Sequence, residues 1–352
     1  MINYVHMVIG FDTRPLSNLS ASRGIGVYTK HLVDYLAREE GVKIIPLNRG
    51  DTPKEVELLH YPYFDLYFPT LPLWQKKPTV VTIHDLTPLI LENLYPVGIR
   101  GKLTFKRQKL ALRNIKAILT DSAASRRDII DLLKISAEKV FYIPLAPQDG
   151  LTVPGNEKQV EIVDKYKLPN EYILFVGDIN RNKNIPTLVK VSERLGIDLV
   201  IVGKQAAGKV ENPEHIENQD LVELQSKAEK NPHIHLLGFV PTEDLGTIYH
   251  HALCLVMPSL YEGFGVPVIE AMQCGCAVVC SKQGSLPEVG GDVAIYSGTD
   301  EQSVAKAVTF VAGLSDGEKL MLLQAGIKQA KKFSWEITAQ KTAQVYRQVL
   351  GK

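Results

Sequence analysis

The sequence predicts an α/β protein of two facing, doubly wound domains, each a parallel sheet covered by helices on both faces, with a cleft between them. Three observations predict this. The chain has 352 residues, where an ordinary domain takes about 150. Short apolar runs rich in β-branched residues alternate with amphipathic segments of helical length, the pattern of parallel sheets buried on both faces. The alternation pauses once, in a polar stretch with Pro and Gly from Ala146 to Asn170, and then restarts.

In the first half, Val5 to Phe11, Val42 to Pro46, Thr79 to Ile83, Ala117 to Thr120 and Val140 to Ile143 read as strands. In the second half, the strands are Tyr172 to Val176, Asp198 to Val202, Ile234 to Leu237, Cys254 to Met257, Ala277 to Cys280 and Ala294 to Tyr296. Helical spacing marks Val27 to Arg38, Lys102 to Asn114, Ser125 to Leu133, Ile185 to Leu195, Leu221 to Glu229, Val268 to Cys274 and Ser303 to Leu314. Ser334-Trp335-Glu336 opens a capped helix to Leu350. The expected domains are therefore 1–150 and 165–333, with 334–352 a helix crossing back to the first. Binding is expected in the cleft, at the carboxyl ends of the strands.

Forty Lys and Arg against 39 Asp and Glu leave a net charge of +1. This argues against a whole-molecule field for nucleic acid, so no nucleic-acid partner is expected. Cys254, Cys274, Cys276 and Cys280 lie among apolar neighbours without a Cys-x-x-Cys pair. They read as buried thiols in a reducing compartment. The first residues carry no basic region followed by an apolar core, and no run approaches the roughly 18 apolar residues that span a bilayer. The sequence thus predicts a cytoplasmic chain.

The most informative window runs from Pro258 to Met272, Pro-Ser-Leu-Tyr-Glu-Gly-Phe-Gly-Val-Pro-Val-Ile-Glu-Ala-Met. Glu262 sits in a Gly-rich loop and Glu270 in a helix expected to begin at Pro267, within its first turn. Amides of the loop at a positive helix end suit phosphate or sugar oxygens, and Glu270 can accept hydrogen bonds from a ribose diol. The plainer alternative is a loop carboxylate and a helix-terminal charge. In Phe175 to Ile185 a strand, a loop led by Gly177 and a helix start carry Arg181 and Lys183, which suit a diphosphate by charge. No Asp-x-Asp pair occurs in the chain, so a divalent metal lacks its usual carboxylate seat and no metal is expected.

In the first half, Arg23-Gly24-Ile25-Gly26 precedes a helix but fails as a dinucleotide fingerprint, lacking the third glycine and the acidic partner. His84 ends a strand in Thr82-Ile83-His84-Asp85-Leu86. From Arg100 to Lys116 there are seven basic residues and no acid; Lys102, Lys106, Lys109, Arg113 and Lys116 form one cationic stripe, with Leu103, Leu110 and Leu112 off it. The stripe suits weak peripheral contact with an anionic membrane at its inner face, or a solvated surface helix. The apolar loop from Tyr67 to Trp74 adds a second candidate contact with lipid or acceptor.

At Pro258 to Met272, and again at Gly284-Ser285-Leu286-Pro287-Glu288-Val289, the sequence resembles the retaining glycosyltransferases of family 4, with the GT-B fold. The resemblance extends over essentially the whole chain. It implies hexose transfer from a nucleotide sugar to a saccharide or lipid-linked acceptor, without a cofactor or metal. By the same resemblance Glu270 holds the nucleotide ribose. Glu262 lies by the donor hexose with the amides of Gly263, Phe264, Gly265 and Val266, and Lys183 with Arg181 and the Gly177 loop takes the diphosphate. Gly24 and Gly26 approach donor phosphate and acceptor, and His84 reaches the donor sugar. The Gly-Ile-Gly-x-Tyr-Thr and His-Asp-Leu segments look most like mannosyl- and rhamnosyltransferases of surface polysaccharide synthesis, which makes GDP-mannose the first donor expected. Asp178 and Asn182 depart from the family pattern, where arginines are common. A catalytically silent sugar-binding or scaffold subunit therefore stays open, as does an NAD-dependent oxidoreductase.

Overall fold

The computed structural model describes residues 6–17, 24–47 and 52–352. Val5, at the start of the first expected strand, and Arg23, ahead of the glycine pair, lie outside the described residues. The chain divides into two compact units, one running to Ala146 and taking in Phe333–Lys352, the other Pro147–Lys332.

The first unit holds β1 (Met7–Asp12), α1 (Gly24–Leu36), β2 (Val42–Leu47), β3 (Leu58–Tyr61), β4 (Thr79–Thr82), α2 (Thr87–Ile90), α3 (Ile99–Ala111), β5 (Ala117–Thr120), α4 (Ala123–Leu133) and β6 (Val140–Tyr142). Its six strands are ordered β2-β1-β3-β4-β5-β6, every pairing parallel. The runs Thr-Val-Val-Thr in β4 and Ala-Ile-Leu-Thr in β5 are buried throughout, as both-face coverage requires. The sheet order turns back between β1 and β3, a point that exists only because of β3. The four-residue run of β3 lies in a His- and Tyr-containing stretch that alternation did not single out.

The second unit holds α5 (Asn156–Tyr166), β7 (Tyr172–Val176), α6 (Ile185–Leu195), β8 (Asp198–Val202), α7 (Gln219–Ala228), β9 (Ile234–Gly238), α8 (Thr242–His251), β10 (Cys254–Met257), α9 (Val266–Gln273), β11 (Val278–Ser281), α10 (Leu286–Gly290), β12 (Ile295–Ser297), α11 (Glu301–Ala312) and α12 (Asp316–Ala330). The strand order β12-β11-β10-β7-β8-β9 is that of the dinucleotide-binding doubly wound sheet, with its switch between β7 and β10. Its core joins Ile173 and Phe175 of β7, Leu188 and Val191 of α6, and Val304 and Val308 of α11.

Several expectations are corrected. The polar stretch from Ala146 to Asn170 contains α5, and residues 151–164, placed in neither domain, lie in the second unit. Helices α8, α10 and α12 were unmarked; α12 starts at a Ser315–Glu318 capping box, a signal present in the sequence. The basic helix α3 ends at Ala111, so Lys116 lies beyond it, and Leu112 is buried rather than surface-facing.

The last helix, α13 (Trp335–Leu350), begins at an N-cap where Ser334 Oγ accepts from the Ile337 amide, and belongs to the first unit. Thr338 Oγ1 donates to the Pro144 carbonyl at 2.8 Å. Its Tyr346 hydroxyl meets His60 Nδ1, while His60 Nε2 pairs with Thr82 Oγ1 at 2.9 Å, which also meets the Tyr28 hydroxyl at 3.0 Å. Burial pushes His60 down to about 3, so the ring is neutral and this chain of side chains is an uncharged buried network. The four cysteines are buried and free. Among the described residues no helix is long and apolar enough to cross a membrane.

Candidate active site

Open α/β sheets bind ligands outside the carboxyl ends of their strands, where the order reverses. In the second unit these ends carry the two loops that the sequence singled out. The loop after β7 leads to a single 3-10 turn, Arg181–Lys183, and into α6; the loop after β10 leads into α9. Lys183 Nζ donates to both carboxylate oxygens of Glu262, at 2.7 Å each. Glu262 is 5% exposed and also accepts from Ser259 Oγ at 2.6 Å. With the two side chains 19% and 7% exposed, removing one partner leaves a buried charge, which costs about 3–5 kcal/mol.

The loops are fixed from several sides. Asn182 Nδ2 donates to the Tyr261 carbonyl at 3.0 Å and the Leu260 amide to the Asn182 carbonyl at 2.7 Å. Asn182, a departure from the family pattern, therefore stitches one loop to the other. Asn184 has φ of 58° and donates to the Pro258 and Thr299 carbonyls; asparagine tolerates that left-handed backbone. Ser285 Oγ donates to the Phe264 carbonyl at 2.8 Å, and the Ser285 amide to that of Glu262. Gly265, the residue before α9, has φ of 97°, and a Cβ there would stand 2.8 Å from Leu286 Cδ2, so both backbone and space demand glycine.

Helix α9 begins at Val266 with Pro267 second, so Glu270 is its fifth residue and lies in the second turn, not the first as expected. Its buried carboxylate accepts from the Tyr249 hydroxyl at 2.9 Å and from the Gln148 amide at 3.3 Å. Burial raises its pKa, opposed by these hydrogen bonds. Carboxylate oxygens keep further acceptor capacity for a diol. Arg181 comes from the same turn as Lys183, and its charge opposes the burial that raises the Asp220 pKa. Gly177, at φ of 144°, follows β7 directly, and a Cβ on the facing Gly203 would stand 2.3 Å from the Gly177 carbonyl oxygen.

In the first unit, Gly24 opens α1, exposed, with open space where a Cβ would stand, and Gly26 is buried two residues before Tyr28. The Tyr28 ring stands edge-on to His84 at 4.7 Å. His84 Nδ1 pairs with Asp121 Oδ2 at 2.8 Å, and the ring also lies within reach of the Pro62 backbone. Burial disfavours the imidazolium, but the Asp121 charge and hydrogen bond win and the His84 pKa is raised. Sequence reasoning missed Asp121, Ser259, Tyr249 and Gln148. Asp121 follows β5 as His84 follows β4, and pairing of neighbouring parallel strands was the signal that would have found it. Among the described residues no group of three or more His, Cys, Asp or Glu side chains is placed to hold a metal ion.

A family model described as glycosyl transferases group 1 matches residues 158–332. O-antigen chain mannosyltransferase B of Escherichia coli is 30% identical over 277 residues, spanning 76% of this chain and 70% of that one. Serotype-specific mannosyltransferase WbdA of Escherichia coli is 32% identical over 266 residues, covering 74% of this chain but only 32% of its own length. The chain therefore belongs to the group 1 glycosyl transferases. Among solved structures, sucrose-phosphate synthase from Thermosynechococcus elongatus superposes with a TM-score of 0.75 at 19% identity over 98% of this chain and 100% of that one. Anabaena Alr3699/HepE in complex with UDP-glucose gives 0.71 at 15%, over 97% and 100%. The fold is the two-domain α/β GT-B fold.

Replacing Asp121 with Asn should lower the His84 pKa from its raised value, read by NMR titration of the imidazole. An unmoved titration would show that Asp121 does not set the charge of that ring.

Proposed function

We propose that the protein is a retaining mannosyltransferase that moves mannose from GDP-mannose to a saccharide or lipid-linked acceptor in polysaccharide or glycoconjugate synthesis. The observation that carries this reading is the meeting of Lys183 and Glu262 at the switch point of the second sheet. The mannosyltransferase names of the relatives support the choice of sugar.

On this reading Glu270 accepts hydrogen bonds from the ribose. Glu262 and the amides of Gly263 to Val266 lie against the hexose; Val266, first in α9, contributes an N–H with no intrahelical partner. Lys183, Arg181 and the Gly177 loop neutralise the charge that accumulates on GDP as the bond from the anomeric carbon to the β-phosphate oxygen breaks. The acceptor hydroxyl forms the new bond on the same face of the sugar, and its proton goes to the departing phosphate. Protein cations thus fill the role a divalent ion plays elsewhere, and transfer proceeds without metal. In the first unit, on the same reading, His84, edge-on to Tyr28, reaches the donor sugar, and Gly24 and Gly26 approach the donor phosphate and acceptor.

The same reading places the enzyme in the cytoplasm at the inner face of the membrane. Along α3 and the loop before it, Ile99 is 80%, Leu103 61% and Phe68 70% exposed, beside the basic stripe. Exposed apolar side chains next to cations suit an anionic leaflet. Cosedimentation with anionic vesicles at low salt is expected, weakening as salt rises; a protein that stays in the supernatant at low salt contradicts this placement.

Incubation with UDP-, GDP- and dTDP-sugars should give slow donor hydrolysis, fastest with GDP-mannose. Lys183→Ala is expected to lower turnover by roughly 10²–10³. Because it also strands the Glu262 carboxylate, the double variant Lys183→Met/Glu262→Gln, which removes both charges, serves as the folding control. It should unfold at a temperature nearer the wild type than Lys183→Ala and remain as slow. Wild-type turnover in Lys183→Ala would remove the lysine from the mechanism.

A further inference from the structure

We infer that a second pocket, confined to the first unit, binds a pyranose carrying a phosphate. Calling this ligand the acceptor end of the transfer rests on the glycosyltransferase reading; the binding itself does not. The pocket, of about 660 Å³, lies at the carboxyl ends of β1 and β3, where the order of the first sheet reverses. That volume is within the range of small-molecule sites, and the position is the one where open α/β sheets bind ligands.

Its lining has the chemistry of carbohydrate recognition. The Trp74 ring, 81% exposed, offers a flat apolar face to sugar C–H groups. The Gln75 amide spends its donors on the Pro72 and Ala111 carbonyls, at 2.7 and 3.4 Å, which leaves Oε1 as a buried acceptor without a partner among the described residues. Asp12 and Arg14, also in the lining, form a two-pronged ion pair with bonds of 2.6 to 3.0 Å. Among the described residues of the lining, Arg14, Lys76 and Arg107 set three cations against the carboxylate of Asp12, a surplus of two positive charges. That surplus points to an anionic group on the sugar.

The loop that carries Trp74 and Gln75 is held in advance of any ligand. Asp65 Oδ1 accepts from the Tyr67 and Phe68 amides, and the buried Gln108 donates to the Asp65 carbonyl and to Thr70 Oγ1, at 3.0 and 2.7 Å. Ordering cost on binding is correspondingly small.

The chain has two tryptophans; Trp335 is 5% and Trp74 81% exposed, so iodide quenching of fluorescence reports on Trp74. Titration of the full-length protein with mannose 1-phosphate should protect Trp74 saturably, with methyl α-mannoside and inorganic phosphate each at least tenfold weaker. Lys76→Ala/Arg107→Ala and Gln75→Ala, checked for folding by thermal unfolding, should each weaken binding at least tenfold. No saturable protection, or inorganic phosphate binding as tightly as the sugar phosphate, would overturn the assignment. The donor reading is tested apart from it: a protein that binds mannose 1-phosphate here but neither hydrolyses nor transfers any nucleotide sugar would refute the proposed activity and leave the pocket standing.

Discussion

The second unit depends on one buried charge pair. Lys183 arrives from the loop after β7 and Glu262 from the loop after β10, the strands on either side of the point where the sheet order reverses. Neither group can be buried alone at acceptable cost. The pair therefore fixes the relative position of the two loops as firmly as any apolar contact. On the proposed reading the pair also sets a cation for the donor phosphate and a carboxylate for the sugar at the mouth of the sheet.

The remaining residues of that site hold this geometry. Asn182 and Asn184 tie the lysine loop to the backbone at Pro258 to Tyr261 and at Thr299. Gly265 permits the bend that points the loop into α9, and Ser285 clamps it from the following segment. In the first unit a neutral network from Tyr346 through His60 and Thr82 to Tyr28 ends against His84, whose other neighbour is the Asp121 carboxylate. The terminal helix thus contributes Tyr346 to the packing behind the histidine.

Much of this was legible in the sequence. The apolar runs that became β4, β5, β7 and β10 are buried on both faces, and such runs announce themselves by composition. The Gly-rich window around Glu262 and the lysine loop were visible because glycine, proline and charge cluster there. β3 escaped because its four residues include His60, whose ring nitrogens meet Tyr346 and Thr82, far away in sequence. α5 escaped because its apolar stripe is thin, with Ile162 its buried residue. Asp121 and Tyr249 could not be found from spacing, since each meets its partner across strand or helix packing rather than along the chain. Asn182 was read as a departure from a catalytic pattern, when its amide closes the loop pair.

The central claim is that protein cations, led by Lys183, hold the diphosphate of the donor. Calorimetric titration of GDP into the wild type and into Lys183→Met/Glu262→Gln, both with a chelator present, tests it most directly. Saturable binding to the wild type, weakened at least tenfold in the double variant, is expected. Binding abolished by the chelator, or equal in the two proteins, would contradict it.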